Sequence, residues 1–174
     1  MIISVSKYNR SNLTEEQQEF FRNLVPLAVL IQEWSIGKAG FLNIKSPEGI
    51  KPSVVMAEII VLTDCGNHPI SQAKYINRYS NNLSLIKADK SWTGKTHKYI
   101  DNEVYRSYPD WRAYAVDYTD YICFNAEYRK LLENPNILDQ INVLSLVKNN
   151  SSSYNSKLIS TINSLGLEEF DGTF

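Results

Sequence analysis

The sequence predicts a mostly helical α+β domain with one small β-hairpin. Apolar side chains recur at helical spacing along most of the chain. The stretch 92–108 instead places aromatic and β-branched residues on both sides of a turn-like Asp101-Asn102 pair, which is typical of a hairpin. With 174 residues, 43% of them hydrophobic, the chain has the size of one domain with one core. We therefore expect a single domain over 1–174, with 1–14 as an N-terminal arm.

The charge balance gives no support to a nucleic-acid partner. Lys and Arg number 18 against 19 Asp and Glu, so a net charge of −1 creates no field that would attract a polyanion. No stretch approaches the roughly 20 apolar residues of a membrane span. The N-terminal stretch lacks the cationic start and apolar core of a secretory signal. We expect a protein without a membrane span, delivered by another route if it acts outside the cytoplasm.

The first long helix has a clear start. Thr14 and Gln17 have the form of a capping box, and the apolar pattern that follows predicts a helix from about 15 to 35. Pro26 lies inside this pattern and is expected to kink the helix. Residues 37–52 hold three glycines and two prolines and are predicted to form a loop.

The second helix is predicted from "VVMAEIIVLTDCGNHP", residues 54–69, with Ser53 as its N-cap and Gly66 beyond its end. Its β-branched residues would also suit a buried strand, and periodicity alone does not decide between the two. We predict a helix that is apolar on nearly all faces and therefore central and buried. Glu58 is the one charge inside the apolar run.

The remaining elements are predicted to be helical apart from the hairpin. A short helix is expected around 70–78, and Pro109 suits the first position of another helix. Further helices are expected near 136–148 and 154–165, with Gly166 as a C-terminal stop. The only cysteines, Cys65 and Cys123, are too few for a disulfide framework and are interpreted as reduced core residues.

Several segments, taken in order, resemble a known family. They are "FFRNLVPLAVLIQ", "PSVVMAEIIVLTDCG", "NNLSLIKA", "YRSYPDWRAYAVDYTDYI" and "YNSKLISTINSLGL". Together they resemble the bacterial and phage endo-β-N-acetylglucosaminidases that cut the glycan strands of peptidoglycan, over roughly residues 18–170. The resemblance implies a lysozyme-like glucosaminidase fold without a cofactor. The 37–52 loop is longer than the short link that is usual in the family, so it is interpreted as an insertion.

The same resemblance indicates that the catalytic acid is missing. In the family, helix two ends in a pattern like Ala-Gln-Ala-x-Leu-Glu-Ser-Gly-Trp-Gly, whose glutamate is the acid. The matching stretch, 57–66, places Glu58 at the glutamine and Leu62 at the catalytic glutamate. A leucine has no proton to donate to a leaving oxygen. A second pattern, Tyr-Ala-Thr-Asp-Pro-x-Tyr, has Lys148 in place of its first tyrosine, while Tyr154 keeps the last.

Three other carboxylates are alternative acids. Glu58 lies one turn before Leu62 on the same helix face, although a structural contact in the core is the more ordinary interpretation. Asp64 would reach the cleft if the helix end unwinds, and otherwise favours the turn at Gly66. Glu103 lies on the shortened hairpin, where the family usually carries a second acidic residue.

Candidate groove residues are those that can stack on sugar rings or bind their polar groups. They are Asn82, Trp92, Tyr99, Tyr105 and Tyr154. The tyrosines of the helix after Pro109 are assigned mainly to packing. Cys65-x-x-His68 has local metal-ligand spacing, but His97 and Cys123 are distant in sequence, and no metal site is predicted.

These observations predict a non-catalytic glucosaminidase-fold protein that is a structural or wall-contacting component of a phage tail or baseplate. Its expected partners are other tail proteins or peptidoglycan glycan strands, and its expected location is the virion. The first alternative is an active peptidoglycan hydrolase that uses Asp64 or Glu58 with Glu103. The second is a cytoplasmic regulator with a borrowed fold, which the sequence neither supports nor excludes.

Overall fold

A computed structural model describes residues 9–45, 48–67, 80–98, 102–148 and 152–172. Over these ranges the chain forms six α-helices and one two-stranded antiparallel sheet, which confirms the predicted fold class. The elements are α1 (Glu15–Phe41), α2 (Pro52–Thr63), β1 (Thr96–Lys98), β2 (Val104–Arg106), α3 (Trp111–Phe124), α4 (Lys130–Glu133), α5 (Ile137–Val147) and α6 (Ser152–Leu165), with 3₁₀ turns at Arg10–Asn12 and Leu167–Phe170. The predicted helix at 70–78 lies outside the described residues.

Helix α1 starts at the predicted capping box and ends later than predicted. The Thr14 hydroxyl accepts a hydrogen bond from the Gln17 amide at 3.2 Å, and the Gln17 side chain accepts one from the Thr14 amide at 3.0 Å. The helix then continues through the two glycines at 37 and 40 to Phe41, so the predicted loop 37–52 is wrong over its first third. Burial of Ala39 and the Lys38–Asp120 ion pair hold this last turn against α3.

Helix α2 is the buried centre of the fold, as predicted. Every residue except Val61 and Leu62 is buried, and the helix packs against α1, α5, α6 and the 3₁₀ turn at Leu167–Phe170. The prediction of Ser53 as its N-cap is wrong, because Pro52 occupies the first helical position and Lys51 the cap. Asp171 supplies the missing acceptor: its carboxylate accepts the Ser53 amide at 2.8 Å and the Ser53 hydroxyl at 2.7 Å.

The predicted hairpin is present and carries an additional extended segment. β1 and β2 pair antiparallel with His97 opposite Tyr105. The segment 86–88 lies on the other side of β2, where the Ala88 amide donates to the Val104 carbonyl at 2.8 Å and the Arg106 amide to the Ile86 carbonyl at 3.0 Å. This second pairing ties the hairpin to the loop that follows residue 80.

The C-terminal half consists of the short helices α3 to α6. Asp110 caps α3 by accepting the Ala113 amide at 2.7 Å, so Pro109 precedes the helix and is not its first residue, contrary to the prediction. Gly166 ends α6 in the left-handed conformation, with φ of 59°, as its place in the sequence indicates. None of the helices in the described ranges is long and apolar enough to cross a membrane. Cys65 and Cys123 are both buried thiols, as predicted.

Asp171→Ala is expected to destabilise the fold by about 0.5–2 kcal/mol, the range for loss of a helix-capping side chain. The substitution leaves the Ser53 amide and hydroxyl at the start of a buried helix without their acceptor. Urea denaturation followed by circular dichroism measures the change. The control is Glu168→Ala in the 3₁₀ turn that precedes Asp171, since Glu168 is exposed and should change stability by less than about 0.5 kcal/mol. Equal losses in both variants would show that Asp171 does not cap α2.

Candidate functional site

A cleft of about 530 Å³ opens where the C-terminal half of α2 meets the hairpin. Its walls come from α2, the loop 84–89, β2, α3 and the end of α5. The lining residues are Glu58, Leu62, Ser84, Leu85, Ile86, Lys87, Asp89, Tyr105, Tyr118, Tyr121, Ile122, Tyr128, Val147 and Lys148. The volume lies within the range of small-ligand sites in proteins.

Helix α2 presents two side chains to this cleft. Leu62 is one of the two α2 residues that escape full burial, and it lines the cavity. Glu58 lies one turn earlier, on the same face of the helix, and is only 1% exposed. The cleft therefore has an apolar side chain at position 62 and a buried carboxylate beneath it.

The Glu58 carboxylate is bound at both oxygens. Lys148 Nζ lies 2.5 Å from Oε1, and the Tyr118 hydroxyl donates to Oε2 at 2.6 Å. Lys148 is the C-cap of α5, where the carbonyl end of a helix favours a cation. The carboxylate is thus an ion-paired acceptor, held by α3 on one side and by α5 on the other.

Four tyrosines surround this ion pair, and their phenols are held in the neutral form. Burial, together with the charge of Glu58, raises the pKa of Tyr118 and Tyr114 well above the usual value. The same two causes raise the pKa of Tyr128 and Tyr154. A neutral phenol can donate a hydrogen bond, and Tyr118 does so to Glu58 without adding charge to the site.

A second ion-pair network, centred on Arg106, lies behind the wall of the cleft that faces α2. Arg106 Nη1 contacts both oxygens of Asp117 at 3.0 and 3.1 Å, and Nη2 lies 3.0 Å from Asp89 Oδ2. The guanidinium also lies 4.8 Å from the Trp92 ring centroid and 5.2 Å from that of Tyr121. Arg106 therefore joins β2, α3 and the loop that carries Asp89 into one rigid wall.

Asp89 is the second carboxylate of the cleft and is half exposed. Hydrogen bonds from the Ser91 side chain and amide, with the charge of Arg106, lower its pKa. It is therefore ionised at neutral pH and can accept hydrogen bonds from a ligand, but it has no proton to donate.

The structure separates the three alternative acids of the sequence analysis. Glu58 lines the cleft. Asp64 is the C-cap of α2 in the left-handed conformation, with φ of 50°, and does not line the cleft. Glu103 lies on the hairpin, where its carboxylate is 3.0 Å from Lys87 Nζ, and it is not part of the lining either.

The predicted groove residues have different surroundings. Tyr105 lines the cleft, whereas Tyr99 lies outside the described residues. Asn82 is buried, where its amide donates to the Ile86 and Arg106 carbonyls at 2.8 and 3.0 Å, and it stabilises the cleft loop. Trp92 packs edge-on against Tyr108 behind the wall. Tyr154 is buried on α6, and its hydroxyl has no hydrogen-bond partner in the described part of the chain.

Sequence reasoning missed several cleft residues. Tyr118 and Tyr121 were assigned to packing, because their helical spacing shows that they share a face but not that the face meets a cavity. Tyr128 and Asp89 had no local signal, since their roles depend on contacts across the fold. As for metals, His68 is outside the described ranges, and within those ranges no three His, Cys, Asp or Glu side chains form a possible metal site.

The buried central helix, the small hairpin and the cleft between them define a lysozyme-like α+β domain. The family described as mannosyl-glycoprotein endo-beta-N-acetylglucosaminidase matches residues 38–167, and the chain belongs to this glucosaminidase family. A related protein is the peptidoglycan hydrolase FlgJ of Vibrio parahaemolyticus, 30% identical over 96 residues that cover 49% of this chain and 30% of FlgJ. The chain thus matches under a third of that relative's length.

Solved structures share the fold. The glycoside hydrolase domain of Salmonella typhimurium FlgJ has a TM-score of 0.68 at 19% identity, over 88% of this chain and 90% of that domain. An N-acetylmuramoyl-L-alanine amidase from Staphylococcus aureus has a TM-score of 0.69 at 19% identity, over 93% of this chain and 45% of that one. A peptidoglycan hydrolase from Sphingomonas sp. A1 has a TM-score of 0.64 at 22% identity, over 83% and 86% of the two chains.

Arg106→Ala is expected to lower the free energy of unfolding by about 1.5–3 kcal/mol, the range for hydrogen bonds to charged groups. The loss follows because Asp117 and Asp89 both lose their guanidinium partner. The matched control is Arg112→Ala, since Arg112 is exposed and lies 5.6 Å from the Trp34 ring. It should cost less than about 1 kcal/mol. Similar losses in chemical denaturation would contradict the role of Arg106 as the link of the cleft wall.

Proposed function

We propose that this glucosaminidase-family domain binds glycan strands of peptidoglycan without hydrolysing them and serves as a structural or wall-contacting component. The observation that carries the proposal is Leu62. The family resemblance places the catalytic acid at this position, and the leucine lines the cleft.

The carboxylates of the cleft support a non-hydrolytic function. Cleavage of a glycosidic bond needs a carboxylic acid that gives its proton to the leaving oxygen, assisted by a second carboxylate. Glu58 is ion-paired with Lys148, and Asp89 is held ionised by Ser91 and Arg106. Neither carboxylate that lines the cleft has the surroundings of a proton donor.

The remaining lining suits a sugar ligand. Tyr105, Tyr121 and Tyr128 bring aromatic rings to the cavity, and aromatic faces bind the apolar faces of pyranose rings. Lys87, Lys148 and Asp89 add donors and an acceptor for hydroxyl and acetamido groups. Peptidoglycan is chosen as the ligand because the FlgJ relative is a peptidoglycan hydrolase.

We further propose a phage tail or baseplate as the setting of this domain. Placement in a phage tail or baseplate, with other tail proteins as partners and the virion as location, rests on the sequence resemblance. The active hydrolase is kept as an alternative because Glu58 lines the cleft. In that case Glu58 would have to give its proton despite the Lys148 pair.

Purified peptidoglycan incubated with the wild-type protein is expected to release no soluble glycan fragments, as read by mass spectrometry. Leu62→Glu restores a carboxyl group at the family's acid position and is expected to release fragments if the rest of the groove is intact. Leu62→Gln is the matched control, because glutamine has nearly the same shape and no carboxyl proton.

Fragment release by the wild type would overturn the non-hydrolytic proposal. The acid would then be identified by single variants: loss of release in Glu58→Gln would assign Glu58, and loss in Asp64→Asn would assign Asp64.

Tyr121→Ala is expected to weaken binding to soluble peptidoglycan glycan fragments by roughly 5–30-fold, equivalent to about 1–2 kcal/mol for a central aromatic contact. Isothermal titration calorimetry measures the change. Phe124→Ala is the control, because Phe124 lies on the same helix, is 62% exposed and is not part of the cleft lining. Equal affinity of Tyr121→Ala and wild type would place the glycan outside this cleft.

A further inference from the structure

The floor of the cleft holds a carboxylate and an ammonium group in direct contact. Glu58 is 1% exposed, and the Lys148 side chain is 16% exposed. We propose that Lys148 holds Glu58 in its ionised form and thereby prevents this cleft from presenting a proton donor. The inference rests on the proposed non-hydrolytic function. It identifies Lys148 as the residue that keeps the cleft without a proton donor.

Lys148 is held in place both by its backbone amide and by the ammonium group of its side chain. Its backbone amide donates to the carbonyls of Leu144 and Leu146 at the end of α5. Its ammonium lies 2.5 Å from Glu58 Oε1, while Tyr118 donates to the other oxygen. The ion pair therefore joins α5 to the central helix and does not depend on a mobile surface side chain.

The other groups that face Glu58 cannot replace this cation. They are phenols: Tyr114 and Tyr118 on α3, Tyr128 between α3 and α4, and Tyr154 on α6. All four have a pKa raised by burial and by the charge of Glu58, so they are neutral at physiological pH. In the described part of the chain, Lys148 is the cation that forms an ion pair with Glu58.

Removal of that cation would change the chemistry of the cleft floor. A buried carboxylate without a partner charge is strongly disfavoured in its ionised form and takes up a proton instead. A protonated Glu58 would be a carboxylic acid in the cleft, one turn before Leu62. A buried acid of this kind is the form that general acid catalysis requires. Lys148 is thus a positioning residue that acts through Glu58.

The test compares four folded proteins at neutral pH by infrared difference spectroscopy in the region of the protonated carboxyl stretch. They are the wild type, Lys148→Met, Lys148→Arg and the double variant Glu58→Gln/Lys148→Met. The protonated carboxyl band is expected in Lys148→Met alone. Arginine restores the positive charge, and the double variant removes the carboxyl group, so both controls should lack the band.

The pH dependence of stability gives an independent measurement. Protonated Glu58 in Lys148→Met means that the folded state binds more protons than the unfolded state, in which a glutamate titrates near pH ~4.3. The free energy of unfolding of Lys148→Met, relative to the double variant, should therefore rise as the pH falls from 7 and level off below about pH 4. A purely structural role for Lys148 predicts a constant difference.

Each outcome decides the inference. Absence of the band in folded Lys148→Met overturns it, as does a stability difference that does not vary with pH. If Lys148→Met is unfolded at neutral pH, recovery of its circular dichroism spectrum near pH 5 supports the inference, and failure to recover while the double variant folds contradicts it. A different result would overturn the proposed function, namely the release of peptidoglycan fragments by the wild type.

Discussion

Burial of α2 around nearly its whole circumference is the constraint on which the rest of the structure depends. A helix enclosed in this way cannot satisfy its first amides with water, so distant side chains must supply acceptors. Gln140 accepts the Lys51 amide at 3.0 Å, and Asp171 accepts the Ser53 amide. The same constraint applies to the charge in its centre, because a buried Glu58 requires a partner, and Lys148 supplies it from the end of α5.

The departures from the family pattern are physically related. Relative to the pattern that the sequence resembles, an acidic residue replaces glutamine at Glu58 and a basic residue replaces tyrosine at Lys148. The structure pairs these two charges at 2.5 Å, so each explains why the fold tolerates the other. Leu62, which the resemblance aligns with the family's acid, lines the same cleft. The buried carboxylate of the cleft therefore lies one helical turn before Leu62, where it is paired with a cation.

Features set by local sequence were the predictable ones. The capping box at Thr14, the all-round apolar character of α2 and the stop at Gly166 follow from neighbouring residues, and all three are present. Features that depend on tertiary contacts could not be predicted from the sequence. The glycines at 37 and 40 suggest a helix break, yet packing against α3 carries α1 through them. The acceptor for Ser53 lies 118 residues away in sequence, and the cleft positions of Tyr118 and Asp89 depend on contacts across the fold.

The long-range cap of α2 has a consequence for synthesis of the chain. The apolar α2 segment leaves the ribosome well before α5, α6 and Asp171, the elements that enclose and cap it. Until then an apolar segment with a single charge is exposed to water. Its native contacts are with residues that are distant in sequence. The native contacts of this segment therefore cannot form completely until the residues around Asp171 have been synthesised.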